Sequence, residues 1–176
     1  MASKIKVDQL ETADGTGTIA LQNQFSGLAS ASMPTGSVLQ VVYSSYTTAL
    51  NSTSTTFVET GASAVITPSS TSSKILIQIS QHMGLYDNDS DTGCGYKIDR
   101  NGTDVWSSAT AYDSYAYTSG GDASEMRGRA FLQYLDSPNS TSALTYKTFM
   151  KNHSSGAFTA QQNSNPTMFV LMEIAG

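Results

Sequence analysis

A chain of 176 residues with a formal net charge of −5 and 13% charged side chains has the mass for one ordinary core plus an extension, not for two full domains. Its nine Lys and Arg form no basic stripe, which argues against nucleic acid as a partner, and the single cysteine, Cys94, excludes an intrachain disulfide and a cysteine-based zinc site. No apolar run approaches a membrane span, and MASKIKVDQ lacks the apolar segment of a secretory leader, so neither membrane insertion nor export is expected.

The chain opens on two short alternating stretches, Lys4–Leu10 and Thr16–Leu21, around the turn signal TADGTG. They predict a β-hairpin, and since an isolated hairpin is marginal in water this one needs a surface to dock on. QNQFSGLASASMPTGS (22–37) is small, polar and punctuated by Gly and Pro, which reads as an extended arm with a domain boundary near Pro34. From Val38 the rhythm changes. SVLQVVYSSYTT (37–48), TTFVETGASAVIT (55–67) and SKILIQISQHMGLY (73–86) are β-branched or aromatic runs separated by the turn clusters ALNSTS and PSSTSS. In the third, Ile75, Ile77 and Ile79 share one face, the period of two of a half-buried strand. GCGYKIDRNGTDVWSS (93–108) holds the clearest local signal, Asn101-Gly102, the favoured pair for a type I′ hairpin turn because both positions need φ > 0. Strands are further predicted at TAYDSYAYT (110–118), MRGRAFLQYLD (126–136), SALTYKTFMKN (142–152), GAFTAQ (156–161) and TMFVLMEIA (167–175).

No stretch carries a helical period. The 48 Ser and Thr compete for backbone hydrogen bonds, and Thr is stiff at χ1, which disfavours long helices. Disorder, the ordinary reading of so many hydroxyls, does not fit 39% hydrophobic residues gathered in alternating runs. The expected fold is all-β: an antiparallel jelly-roll or β-sandwich knob (37–176) preceded by an extended N-terminal β-hairpin arm (1–36). The last run, MFVLMEI, is apolar on both faces apart from Glu173. A two-layer sandwich covers only one face, so a subunit interface is expected on the other.

The stretches SKIKVDQLETADGTGTIAL, MPTGSVLQVV, TFVETGASAVITPSSTSSKILIQIS and FVLMEIAG resemble those of small structural proteins and fibre tips of tailed bacteriophages, especially phages of marine bacteria and cyanobacteria. The resemblance implies a homotrimeric knob, similar to the jelly roll of tumour necrosis factor, on the exterior of a virion assembled in the host cytoplasm. It also implies that residues 1–36 attach to other virion proteins, with Lys4, Ile5, Lys6, Val7, Leu10, Ile19 and Leu21 forming the attachment arm. The function expected is that of a short tail fibre or fibre-tip protein in host attachment; the alternative is a trimeric capsid decoration protein, a cement or head fibre.

No catalytic motif is present, neither G-x-S-x-G nor H-E-x-x-H, and the two histidines are His82 and His153. No enzyme activity and no cofactor are expected. In YDNDSDTG, Asp87, Asp89 and Asp91 alternate like the first ligands of a calcium loop. However, the glycine falls one place late at Gly93, and Ile98 stands where a bidentate Glu belongs. A solvated acidic loop is therefore the reading and no metal is expected. Tyr112, Asp113, Tyr115 and Tyr117 combine rings with polar groups, the usual surface for a sugar, and are the candidate contacts to a host surface glycan; Trp106, beside them, is assigned to the core.

Overall fold

The computed structural model describes residues 33–88, 91–118 and 123–176. The N-terminal hairpin and Lys4, Ile5, Lys6, Val7, Leu10, Ile19, Leu21 and Asp89 lie outside the described residues. Eleven strands are described: β1 (Val38–Tyr46), β2 (Leu50–Ser52), β3 (Val58–Ile66), β4 (Lys74–Asp87), β5 (Thr92–Arg100), β6 (Thr103–Ser107), β7 (Ser114–Ala116), β8 (Ser124–Asp136), β9 (Leu144–Asn152), β10 (Ala157–Ala160) and β11 (Thr167–Ile174).

They form two antiparallel sheets. In the first, β4 is the spine: β8 runs along one side of it from end to end, while on the other side β11 pairs with its first half and β10 with its second. β1 lies beyond β11, and β2 beyond β10. In the second sheet the order is β3-β9-β5, with β6 and β7 sharing the far edge of β5. Leaving aside the three short strands β2, β7 and β10, the sheets read β1-β11-β4-β8 and β3-β9-β5-β6. Numbered from one to eight, these strands run 1-8-3-6 and 2-7-4-5, the order of an eight-stranded jelly roll.

The alternation read in the sequence is what lets the sheets pack. Ile75, Ile77, Ile79, Leu85, Phe158, Phe169 and Leu171 of the first sheet face Ala62, Ile66, Tyr96, Ile98, Tyr146 and Met150 of the second, and all are buried. Trp106 packs half-buried against this core. Two polar links tie the layers. Thr148 Oγ1 meets Thr60 Oγ1 at 2.6 Å and donates to Gln81 Oε1 at 2.9 Å, and Gln81 Nε2 donates to Thr167 Oγ1 at 2.8 Å. At one end Asp136 accepts from Arg100 at 2.5 Å and from the Tyr146 hydroxyl at 2.7 Å. Buried polar groups satisfied in this way fix one relative placement of the sheets.

Asn101 and Gly102 take φ of 50° and 88°, as the type I′ turn requires. Two expectations need adjustment. The cluster ALNSTS, read as a turn, contains β2, a three-residue strand whose ladder partner among the described residues is β10. Glu173, read as an interruption, points inward and is buried: it accepts from Gln40 Nε2 at 2.6 Å, and from the Ser69 N–H and hydroxyl at 2.7 Å each. Burial by itself raises its pKa, but these hydrogen bonds outweigh it and hold the carboxyl below the ordinary glutamate range.

Candidate functional site

The four predicted sugar contacts separate. Tyr112 and Tyr115 pack edge to face at 4.9 Å between ring centroids, and His153 closes the group, edge-on to Tyr112 at 4.3 Å and stacked on Tyr115 at 5.6 Å. The Tyr115 hydroxyl donates to Asp91, whose carboxylate also accepts from the Thr118 N–H at 3.0 Å. These two bonds hold Asp91 below the usual carboxylate range, and the first pushes Tyr115 up to about 12. Tyr117 is 74% exposed. Asp113 takes no part in this cluster: it accepts from the Ser108 hydroxyl and faces a cleft shared with Trp106, Arg129 and Phe131. Tyr112 and Asp113 lie in the bend before β7, where the chain does not alternate: Tyr112 turns onto Tyr115 and His153 while Asp113 faces the other way.

The acidic loop is likewise divided. Asp87 is buried and accepts from Ser155 Oγ at 2.8 Å, while Asp91 is engaged by Tyr115 and Thr118. Among the described residues no three His, Cys, Asp or Glu side chains converge as metal ligands. Cys94 is buried, which pushes its thiol up to about 12 and keeps it protonated.

The surface with the most definite character is the outer face of the first sheet, which divides into two halves. In the half built on β1, β11, β4 and β8, register lines up lateral rows. Val41, Met172, Leu76 and Leu135 form one; Tyr43, Val170, Gln78 and Gln133 the next; Ser45, Met168, Ser80 and Phe131 the third. No described element covers these rows. Tyr43 is 62% and Phe131 65% exposed, and Val38, Val41 and Leu135 about half. Summed with the half-buried Met168, Val170, Met172 and Ile174, the apolar surface left to water is roughly 700 Å², larger than the biggest patch of a typical monomer.

The other half, on β2, β10, β4 and β8, is polar. Asn51, Thr159, Gly84 and Arg127 form one row, and Ala157, Tyr86 and Glu125 the next. Glu125 and Arg127 form an ion pair. Over Gly84 hangs Gln162, from a 3₁₀ turn (Gln162–Ser164) entered through Gln161; Gln161, Asn163 and Ser164 all have φ between 51° and 59°. Left-handed backbone of this kind costs a non-glycine residue about 1 kcal/mol or more. His82 sits at the border of the halves, opposite Arg129; burial and the neighbouring guanidinium lower its pKa. Sequence reasoning reached the apolar half only through the last strand, whose second face was expected to meet a subunit, and missed the polar half, since the residues of both are scattered from position 38 to 174. The one local cue was Gly84 inside a strand, which signals a close approach.

No protein-family model matches the chain, and neither does any curated protein. Among solved structures the chain is similar to the infectious bursal disease virus VP2 subviral particle, at 13% identity and a TM-score of 0.36, over 80% of this chain and 38% of that one. It is also similar to the Gx strain of the same virus, at 15% identity and a TM-score of 0.37, over 80% and 39%. A third likeness is to dimeric latent PorU from Porphyromonas gingivalis, at 10% identity and a TM-score of 0.30, over 79% and 14%. The chain spans well under half the length of these proteins, and likeness at this level does not extend to function.

Proposed function

We propose that this chain is a non-catalytic structural protein of a tailed phage particle, a homotrimeric knob that associates through the outer face of β1, β11, β4 and β8. The observation that carries the self-association is the uncovered apolar face. A last strand apolar on both sides is explained once Phe169 and Leu171 fill the core and Met168, Val170 and Met172 face a neighbouring subunit. Roughly 700 Å² per subunit approaches the ~800 Å² that each partner contributes to a standard interface. The face is bounded by β1 on one flank and β8 on the other, two different strands, so a contact of one flank with the other in a neighbour is head-to-tail and can close into a ring. The phage assignment rests on the resemblance of SKIKVDQLETADGTGTIAL and MPTGSVLQVV, with residues 1–36 as the attachment element. Within it we favour a fibre tip with a host-facing knob.

The test is the copy number of the protein in purified particles, measured by quantitative mass spectrometry against the major capsid protein. A few trimers per particle are expected. A number comparable to the capsid protein would replace the fibre by decoration of the shell, and absence from the particle refutes both.

A further inference from the structure

The polar half of the outer face holds a trough of about 330 Å³, the lower end of the range for small-molecule sites. Its floor is made by residues without bulk: Ala157, and Gly84, where an added Cβ would fall 2.1 Å from Gln162 Oε1. One wall is the half-exposed ring of Tyr86, held in place by the bond from its hydroxyl to Asn88 Oδ1 at 2.6 Å. Glu125, Arg127, Asn51 and Thr159 surround it with donors and acceptors. The strained turn at 161–164 delivers Gln162 into the trough, where its Oε1 is buried and meets no donor among the described residues. Strain retained in this way marks sites where position matters more than stability.

We propose that this trough binds a neutral saccharide. The apolar face of a pyranose ring stacks on Tyr86, and its hydroxyls pair with Gln162 Nε2, Glu125 and Arg127. Neutrality follows from the charges: Glu125 cancels Arg127 within the trough, and the chain as a whole is acidic, so a uronic or sialic acid finds no unpaired cation. The inference deepens the host-attachment reading and rests on it, but its test does not depend on the particle.

Saturation-transfer NMR on the full chain, with glucose, galactose, mannose, rhamnose, N-acetylglucosamine, galacturonic acid and N-acetylneuraminic acid as probes, is expected to show transfer to at least one neutral sugar and to neither acid. Tyr86→Ala and Gln162→Ala, each verified as folded by its thermal melt, are expected to weaken that binding about tenfold or more, whereas Tyr112→Ala leaves it unchanged. No transfer to any neutral sugar overturns the proposal. So does binding that survives both trough variants, or that is lost with Tyr112→Ala, which would move the site to the tyrosine cluster. A negative result leaves the particle copy number free to support the structural role.

Discussion

Phe131 offers the sharpest test of the subunit interface, because it separates association from folding on a single strand. It stands on the outer side of β8 with 65% of its surface exposed, so roughly 130 Å² of an aromatic side chain of about 200 Å² is available to a neighbour. At about 25 cal/mol per Å², burying it contributes about 3 kcal/mol to each contact. Phe131→Asp removes this and adds a carboxylate to be desolvated, so the dissociation constant rises by about two orders of magnitude or more. The isolated fold loses little, since an exposed substitution of this kind moves stability by about 0.5 kcal/mol. The next residue, Leu132, is 5% exposed on the inner side. Leu132→Ala removes core instead and costs about 2–5 kcal/mol of unfolding free energy. Sedimentation equilibrium across a concentration series, paired with urea unfolding at low concentration, reads both quantities. A wild-type chain that stays monomeric at high concentration refutes the interface. So does a Phe131→Asp variant of unchanged mass.

Other expectations are independent of that one. Glu173 has a folded pKa below its unfolded value, so it contributes stability above about pH 4.5 that is lost as pH falls through the folded pKa. Glu173→Gln is expected to flatten the acid limb of a urea-midpoint profile, and an unchanged acid limb would show that the carboxylate is not responsible. Gly61 has φ of +82° with the Tyr46 ring 2.8 Å from any added Cβ; Gly61→Ala is therefore expected to cost about 2 kcal/mol in chemical denaturation. Deleting residues 1–34 should leave a folded, oligomeric knob that no longer enters particles, and an unfolded product would make the arm part of the core. Chelation with EDTA should leave the melting temperature unchanged; a large fall would assign calcium to the acidic loop.

The strands were legible where periodicity was strong, as in Ile75, Ile77 and Ile79, and the turn at Asn101-Gly102 was legible because φ > 0 has few chemical solutions. β2 was not, since Leu50–Ser52 is too short to show a period and is a strand only because β10 pairs with it. The direction of Glu173 escaped for a related reason: its partners Gln40 and Ser69 lie more than a hundred residues away. Tyr112 and Asp113 looked like one site because they are adjacent in the chain, but they lie in the bend before β7, where each side chain finds its own partners. The trough gathers Asn51, Gly84, Tyr86, Arg127 and Gln162 from three strands and a turn, and only register and the turn bring them together.

The position of β11 between β1 and β4 governs how the molecule comes into being. Until residues 167–174 have left the ribosome, β1 has no ladder partner and the first half of β4 has an open side. The nascent chain therefore carries two unsatisfied edges rich in Val and Ile throughout its synthesis, and closure of the sheet waits for the last strand. Pairing across such long sequence separations is slow, and the waiting edges are prone to aggregation. Recombinant yield should accordingly respond to growth temperature and to chaperone supply more than the stability of the finished knob would suggest.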